Sequence, residues 1–257
     1  MALASPEALA RGVYTASAGN MAQGVAWNAR RLGIPCTVVV PEHAPAAKLS
    51  AIERLGARIV KVPQERWWQV LVEHHYPGID GLFLHPVADR AVIAGNGTIG
   101  LEILEDLPDA DAVLVPFGGG GLSCGIASAY AALRPATRVL ACEVETAAPF
   151  TAARAAGHPV ETGYQPSFVD GIGAPTVLAE MWPLASALLA GSLVVSLEET
   201  ASAIRLLTER ARVVAEGAGA VPVAAALKMS GGKIVCVVSG GNIDPEKLSV
   251  LLAGRIP

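Results

Sequence analysis

The chain has 257 residues, of which 52% are hydrophobic and 16% are charged, and this composition excludes a mainly disordered protein. The net charge of −4 and the aromatic content of 5% exclude a nucleic-acid-binding protein, which needs a basic surface and stacking side chains. An uncharged stretch at residues 112–133 is long enough to span a membrane, but Pro116 and the glycines Gly118–Gly121 interrupt it. We therefore expect a strand, a glycine loop and a buried helix there, and no membrane partner.

The N-terminus has no basic region followed by an apolar core, so no secretion signal is predicted. No CxxC pair occurs, and each of the four cysteines lies in an apolar segment. They are expected to be reduced thiols in a cytoplasmic protein. The five histidines show no ligand spacing with the cysteines, so no metal site is predicted.

Helix-like and strand-like segments alternate along the chain. The first helix starts at Ser5-Pro6-Glu7, where a hydroxyl, a proline and an acid are typical of a helix N-terminus. The predicted strands are 13–16, 36–40, 58–62, 82–84, 113–115, 139–142 and 234–238, and the predicted later helices are 20–32, 46–55, 65–74, 98–107, 122–133, 197–212, 220–228 and 246–252. This pattern predicts an α/β fold in which helices cover both faces of parallel sheets. Residues 157–174 are expected to form a loop at the edge of an active site.

The consecutive glycines Gly118, Gly119, Gly120 and Gly121 follow a predicted strand and precede a predicted helix. Without Cβ atoms, the backbone N–H groups can surround an anion, and the helix N-terminus favours negative charge. A phosphate or carboxylate ligand is therefore favoured over simple strand–helix packing. A dinucleotide site is an alternative, because Gly119, Gly121 and Gly125 approximate a GxGxxG motif, although their spacing is off by one.

Two further strand-to-helix loops are candidates for the same site. Ser17–Asn20 offers a hydroxyl, a flexible glycine and an amide, and Ser239–Asn242 offers a similar set. Taken alone, the first is equally consistent with a helix N-cap and the second with a turn. Because ligands bind at the carboxyl ends of strands in open α/β sheets, all three loops are expected to face one pocket.

Seven blocks, in order, resemble the fold-type-II pyridoxal-phosphate (PLP) enzymes, and most closely the threonine/serine dehydratase (threonine ammonia-lyase) family. They are TASAGNMAQGVAWNARRLG, PEHAPAAKLSAIERLGA, HPVADRAVIAGNGTIGLEIL, VPFGGGGLSCGIA, VDGIG, VVAEGAGAVPVAAAL and CVVSGGNID. The resemblance covers essentially the whole chain. It implies two open parallel-sheet domains similar to those of tryptophan synthase β, a small one at 12–94 and a larger one formed by 1–11 plus 95–257.

The resemblance also implies roles for individual residues. Gly118–Gly121 and Leu122 would bind the PLP phosphate through backbone N–H groups, and Ser239 would hydrogen-bond the pyridine nitrogen. Asn20 would contact the phenolic oxygen of PLP. Gly171 would pack against the ring, and Glu216 would lie near the cofactor or be a solvated acid at a helix end.

Substrate binding is implied for the loop that contains Asn20. The residues expected to hold the substrate carboxylate and line its site are Ser17, Ala18, Gly19, Asn20 and Met21. Ala18 stands where related serine racemases have a catalytic serine, so racemisation is disfavoured. Serine, threonine and longer amino acids all stay open as substrates.

Members of the family carry a Schiff-base lysine in an SFKxRGA-like segment that precedes the SAGN block. This chain is expected to begin after that segment, as a truncated or naturally short form. The lysines present, none of which matches the motif, are Lys48, Lys61, Lys228, Lys233 and Lys247. The catalytic residue is therefore unknown, and bound PLP is expected to be non-covalent or replaced by phosphate or sulfate.

Other departures concern a cation site and neighbouring positions. Glu143 and Ala147 match cation ligands of the family, but Pro149 replaces the third carboxylate, so no metal is predicted. Met21 replaces the usual histidine of the SAGNH block, and Asn96 replaces the usual glutamine of GQGT.

The favoured function is α,β-elimination of a hydroxy amino acid to a 2-oxo acid and ammonia, impaired by the missing lysine. The alternatives are a non-catalytic protein that binds PLP or an amino acid, and half of an enzyme completed by another chain. A nicotinamide-dependent dehydrogenase is a more remote alternative. The resemblance implies a homodimer with a small-molecule amino acid as its ligand.

Overall fold

The computed structural model of the protein describes residues 1–44 and 46–257. The chain divides into two compact units, Met1–Val92 and Ile93–Pro257. The first unit includes residues 1–11, whose side chains Met1 and Leu9 pack against its core. The division into 12–94 and 1–11 plus 95–257 stays a prediction.

The first unit contains a four-stranded parallel sheet. Its helices are α1 (Pro6–Leu9), α2 (Asn20–Leu32), α3 (Ala46–Arg54) and α4 (Gln64–Glu73), and its strands are β1 (Val13–Ala16), β2 (Cys36–Pro41), β3 (Arg58–Val62) and β4 (Leu82–Phe83). The strand order is β3-β2-β1-β4. Helix α2 ends at Gly33, whose left-handed φ of 67° lets its N–H bond back to the last turn.

The second unit contains another four-stranded parallel sheet, in the order β7-β6-β5-β8. Its strands are β5 (Ala112–Pro116), β6 (Arg138–Val144), β7 (Gly191–Val195) and β8 (Ile234–Cys236). Its helices are α6 (Gly121–Leu133), α7 (Pro149–Ala156), α8 (Trp182–Leu188), α9 (Leu197–Leu206), α10 (Gly217–Ala226) and α11 (Pro245–Leu252), with a π-helical turn at Leu207–Ala211. Helix α5 (Arg90–Asp106) crosses the boundary between the units.

The two central strands of the second sheet, β5 and β6, are buried, as their apolar residues predict, whereas β7 and β8 at the edges are partly buried. Every residue of β5 is buried, and Leu114 and Cys142 belong to one core with Val221 of α10. Within the described ranges, no helix has the length and apolar character that crossing a membrane requires. The α/β fold with two parallel sheets is confirmed.

Some boundaries differ from the predicted ones. Helix α5 starts at Arg90 rather than at residue 98. Gly97 and Gly100 lie within it and pack closely against α6, where Cβ atoms would meet the backbone of Gly125 and Ile126 at 3.1 Å. The predicted helix 197–212 is divided into α9 and the π-helical turn. Strand β7 and helices α7 and α8 were not predicted, whereas the loop at 157–174 is confirmed.

Candidate cofactor site

The topology of the second unit places two of the predicted loops side by side. Strands β5 and β8 pair in parallel, with Leu114 opposite Cys236, and the Val237 amide donates to the Leu114 carbonyl over 3.0 Å. The glycine run Gly118–Gly121 follows β5, and Ser239 follows β8. This position, where the strand order reverses, is where open α/β sheets bind ligands.

The glycine run has the backbone geometry of an anion site. Gly120 has a φ of 93°, which side-chain-bearing residues rarely adopt, and it precedes the first residue of α6. Because the residue before α6 is a glycine, no N-cap side chain bonds to the first N–H groups of the helix. Those N–H groups remain available to a negatively charged ligand.

The segment that contains Gly171 lies directly against the glycine run. A Cβ on Gly118 would lie 3.4 Å from Ile172 Cα and 3.7 Å from the Gly171 carbonyl oxygen. A Cβ on Gly171 would in turn lie 2.9 Å from Ala218 Cβ and 3.4 Å from Glu216 Oε1. Any larger side chain at Gly171 would therefore separate these segments.

Glu216 and Ser239 complete the group within the second unit. The Glu216 N–H donates to the Gly240 carbonyl over 2.9 Å, and the residue is buried at the start of α10. A Cβ on Gly219 would lie 2.8 Å from that carbonyl oxygen and 3.4 Å from the Ser239 nitrogen. Helix α10 therefore packs its glycine backbone against the loop of Ser239, and Glu216 is not a solvated acid.

The predicted substrate loop, Ser17–Met21, belongs to the first unit. It follows β1 and starts α2, and Ser17 Oγ accepts a 3.3 Å bond from the Gly19 N–H. Asn20 is exposed, whereas Ala18 and Met21 pack partly against the core of this unit. The loop thus presents polar groups at the carboxyl end of β1.

Glu143 lies at the end of β6 and is fully buried. Its Oε1 accepts a 2.8 Å bond from Phe150 N, and its Oε2 accepts bonds from Thr151 N (2.8 Å) and Thr151 Oγ1 (2.6 Å). Burial raises the pKa of the carboxyl group, and these donors oppose the rise. Because both oxygens bind the N-terminus of α7 and Pro149 provides no ligand, these residues do not fit a cation.

The lysines are distributed over both units. Lys48 is buried in α3, and Lys61 is exposed on β3. In the second unit, Lys228 pairs with Glu199 over 2.9 Å, and Lys233 pairs with Asp109. Lys247 lies on α11.

Sequence analysis did not identify the support beneath the glycine run. A Cβ on Gly120 would lie 3.1 Å from Phe117 Cε2, and the Phe117 ring stacks on Phe150 with centroids 4.6 Å apart. Met181 Cε lies on the same side, 3.6 Å from that Cβ position. Phe117 directly precedes the glycines, which could have indicated its role, but Phe150 and Met181 are distant in sequence.

The family profile described as "Pyridoxal-phosphate dependent enzyme" matches residues 1–240. An L-threonine ammonia-lyase of Geobacter sulfurreducens is 42% identical over 253 residues, covering 96% of this chain and 62% of its own. The L-threonine ammonia-lyase of Thermotoga maritima is 41% identical over 254 residues, and the match covers 96% of this chain and 63% of that enzyme. This chain therefore spans less than two thirds of the length of either relative.

Solved structures show the same fold. Maize serine racemase superposes with a TM-score of 0.85 at 31% identity, covering 98% of this chain and 79% of the racemase. The processed form of threonine deaminase isoform 2 from Solanum lycopersicum superposes with a TM-score of 0.86 at 33% identity, and the match covers 98% of this chain and 76% of the deaminase. The glycine run, the fold and the profile match agree, and the chain belongs to the family of pyridoxal-phosphate-dependent enzymes.

Proposed function

We propose that this chain forms the PLP- and substrate-binding part of a threonine/serine ammonia-lyase. The observation that carries the proposal is a series of contacts inside one unit. The glycine run lies against Gly171, Gly171 lies against Glu216, and the Glu216 N–H bonds to Gly240, which follows Ser239. The similarity to enzymes named threonine ammonia-lyase and threonine deaminase supports the choice of reaction.

The residues of the second unit fit the cofactor. The N–H groups of Gly118–Gly121 and Leu122 would bind the phosphate, because no Cβ obstructs the glycines and the N-cap residue of α6, Gly120, has no side chain that could bond to them. Ser239 would donate to or accept from the pyridine nitrogen as a neutral partner. Gly171 would leave space for the ring, and the buried Glu216 would border it.

The first unit would supply the substrate side. Ser17, Ala18 and Gly19 would hold the substrate carboxylate at the N-terminus of α2, where the helix dipole favours an anion. Asn20 would contact the phenolic oxygen of the cofactor, and Met21 would line the same site. When bound, PLP supplies the electron sink that allows the Cα proton and the Cβ hydroxyl of the substrate to leave.

A second candidate function is binding of PLP or an amino acid without turnover, either alone or with another chain that carries the lysine. The positions of Lys48, Lys61, Lys228, Lys233 and Lys247 favour it, because none lies in a segment like the family's lysine motif. We also propose a homodimer in the cytoplasm, which light scattering and cell fractionation would test.

Titration of the purified 257-residue chain with PLP tests the proposal. We expect saturable binding with the spectrum of the free aldehyde, and no pyridoxyl adduct on a lysine after borohydride reduction. We also expect little 2-oxobutanoate from threonine. The lysine that bonds to PLP in the family normally also transfers the substrate proton, and no lysine of this chain matches its motif. Turnover at about 1–10³ s⁻¹ would instead favour the complete enzyme over the binding protein. Absence of PLP binding would contradict both candidates.

A further inference from the structure

Three buried side chains connect the end of β6 to the glycine run. The first is Glu143, whose two carboxylate oxygens hold the first turn of α7 through Phe150 N and Thr151. The Thr151 hydroxyl also lies 2.8 Å from Ser192 Oγ on β7. These bonds fix the start of α7 to the sheet.

The second and third side chains are Phe150 and Phe117. Because the Phe150 N–H is bound to Glu143 over 2.8 Å, the position of the Phe150 ring depends on that carboxylate. The ring is fully buried and stacks on Phe117 with an interplanar angle of 26°. Protein cores are close-packed, so a shift of one ring displaces the other.

Phe117 in turn supports Gly120. Its Cε2 and Cζ would lie 3.1 and 3.2 Å from a Cβ on Gly120, so the ring lies directly beneath the residue with the positive φ. The Phe117 N–H is fixed by a 2.9 Å bond to the Cys142 carbonyl, next to Glu143 in sequence. The orientation of the N–H groups that follow Gly120 therefore depends on this stack.

We propose that Glu143 is a positioning residue for the phosphate site and acts through Phe150 and Phe117. The inference rests on the proposed function of the glycine run. Glu143 would not touch the ligand; it would hold the stack that sets the direction of the N–H groups. Its carboxylate performs this role with protein donors at both oxygens, and needs no cation.

Glu145 provides a matched control at the same end of β6. It is exposed, and its Oε1 accepts a 2.8 Å bond from Leu197 N at the start of α9. Both carboxylates thus bind a helix N-terminus, but only the helix bound by Glu143 carries the ring that stacks on Phe117. A purely structural role predicts similar behaviour of the two variants in ligand binding.

The test uses calorimetric titration of the full chain with inorganic phosphate and with PLP, together with thermal unfolding. We expect Glu143→Gln to weaken both ligands about tenfold, because misplaced N–H groups lose hydrogen bonds to a charged ligand. Glu145→Gln is expected to lower the unfolding temperature and leave both affinities unchanged. Phe150→Leu, which keeps the backbone bond to Glu143 but removes the stacked ring, is expected to weaken binding similarly.

The double variant Glu143→Gln/Phe150→Leu is expected to bind no more weakly than the weaker single variant, since both changes break the same connection. If Glu143→Gln lowers only the unfolding temperature, or if the two effects add, the inference is wrong while the proposed function stands. If wild-type protein binds neither ligand, the proposed function fails and the inference fails with it. Should Glu143→Gln not fold, unchanged affinity in Phe150→Leu alone would overturn the inference.

Discussion

The two sheets have the same strand order but different loops at equivalent positions. In both, the first strand along the chain lies between the second and the fourth, as in β3-β2-β1-β4 and β7-β6-β5-β8. The loop after β1 carries side chains that can hydrogen-bond, at Ser17 and Asn20, whereas the loop after β5 offers only backbone at Gly118–Gly121. One topology therefore presents two kinds of loop after its first strand, one with polar side chains and one with only backbone N–H groups, and we propose that each binds an anion.

The helices that cover the two sheets differ as well. Helix α2 has an exposed outer face that includes Trp27 and Arg31, whose guanidinium carbon lies 4.7 Å from the Trp27 ring centroid. Helix α10 is almost fully buried, and α6 is largely buried over its first turns and exposed at its C-terminal end; both consist mainly of small residues. The glycine run therefore lies beside helices made mainly of small residues, whereas the Ser17–Asn20 loop starts an amphipathic helix.

The strongest test of this comparison is Gly120→Val. The positive φ of Gly120 and the Phe117 ring 3.1 Å from the new Cβ should displace the glycine run, and binding of phosphate and of PLP should fall at least about 100-fold. Gly24→Ala in α2 is the control, because its Cβ meets open space, and it should leave both affinities unchanged. Equal affinities of the Gly120 variant and wild type by calorimetry would refute the backbone site.

Thiol labelling compares the cores of the two units. Burial raises the pKa of Cys36 and Cys236 to about 11 and that of Cys124 to about 12, and it raises the pKa of Cys142 as well. Because only the thiolate reacts, an aromatic disulfide reagent at pH 8 should label the folded protein at least about 100-fold more slowly than the unfolded chain.

With increasing urea, mass spectrometry should detect label at Cys36 before Cys142, because Cys142 is fully buried whereas Cys36 is 7% exposed. Simultaneous labelling at both positions would show that the two units unfold together.

Ser239→Ala separates recognition of the ring from recognition of the phosphate. Loss of one neutral hydrogen bond at the pyridine nitrogen should weaken PLP binding about 5–10-fold. Inorganic phosphate lacks that nitrogen, so its affinity measured by the same titration should not change. Equal weakening of both ligands would mean that Ser239 only shapes the loop.

The smallest expected effect concerns α9, away from either loop. Ser196 and Glu199 form a capping box, with Ser196 N donating to Glu199 Oε2 over 2.8 Å, and this backbone bond lowers the pKa of Glu199. Glu199→Gln can keep the capping box, but it removes a partly exposed negative charge at the helix N-terminus and its pair with Lys228, so it should lower the free energy of unfolding by about 0.3–1 kcal/mol at neutral pH.

The sign follows from the lowered pKa: the contribution is present above the unfolded pKa and is lost as pH falls through the folded one. Urea unfolding at pH 7 and pH 3 should therefore show the difference only at pH 7. Glu198→Gln, at an exposed neighbour, should show none.

The sequence predicted the alternating fold and the loops at Gly118–Gly121 and Ser239, because periodicity and glycine content are local properties. It did not predict β7 or α7, whose segments are short and take their positions from contacts with β6. The stack of Phe117 on Phe150 joins residues more than thirty positions apart, and only the folded sheet brings them together. The roles assigned to Asn20, Glu216 and their partners stay predictions.

The π-helical turn at Leu207–Ala211 begins the connection between α9 and α10, and the number of residues in this connection sets where α10 starts. Each residue of a helix turns the chain by about 100°, so deleting one residue here would redirect everything that follows. The Val213 N–H bonds back to the Leu207 carbonyl, and three residues later the Glu216 N–H meets Gly240. Substitutions on the exposed face of this turn should therefore be tolerated. Insertions and deletions would instead move the Glu216 N–H away from the Gly240 carbonyl.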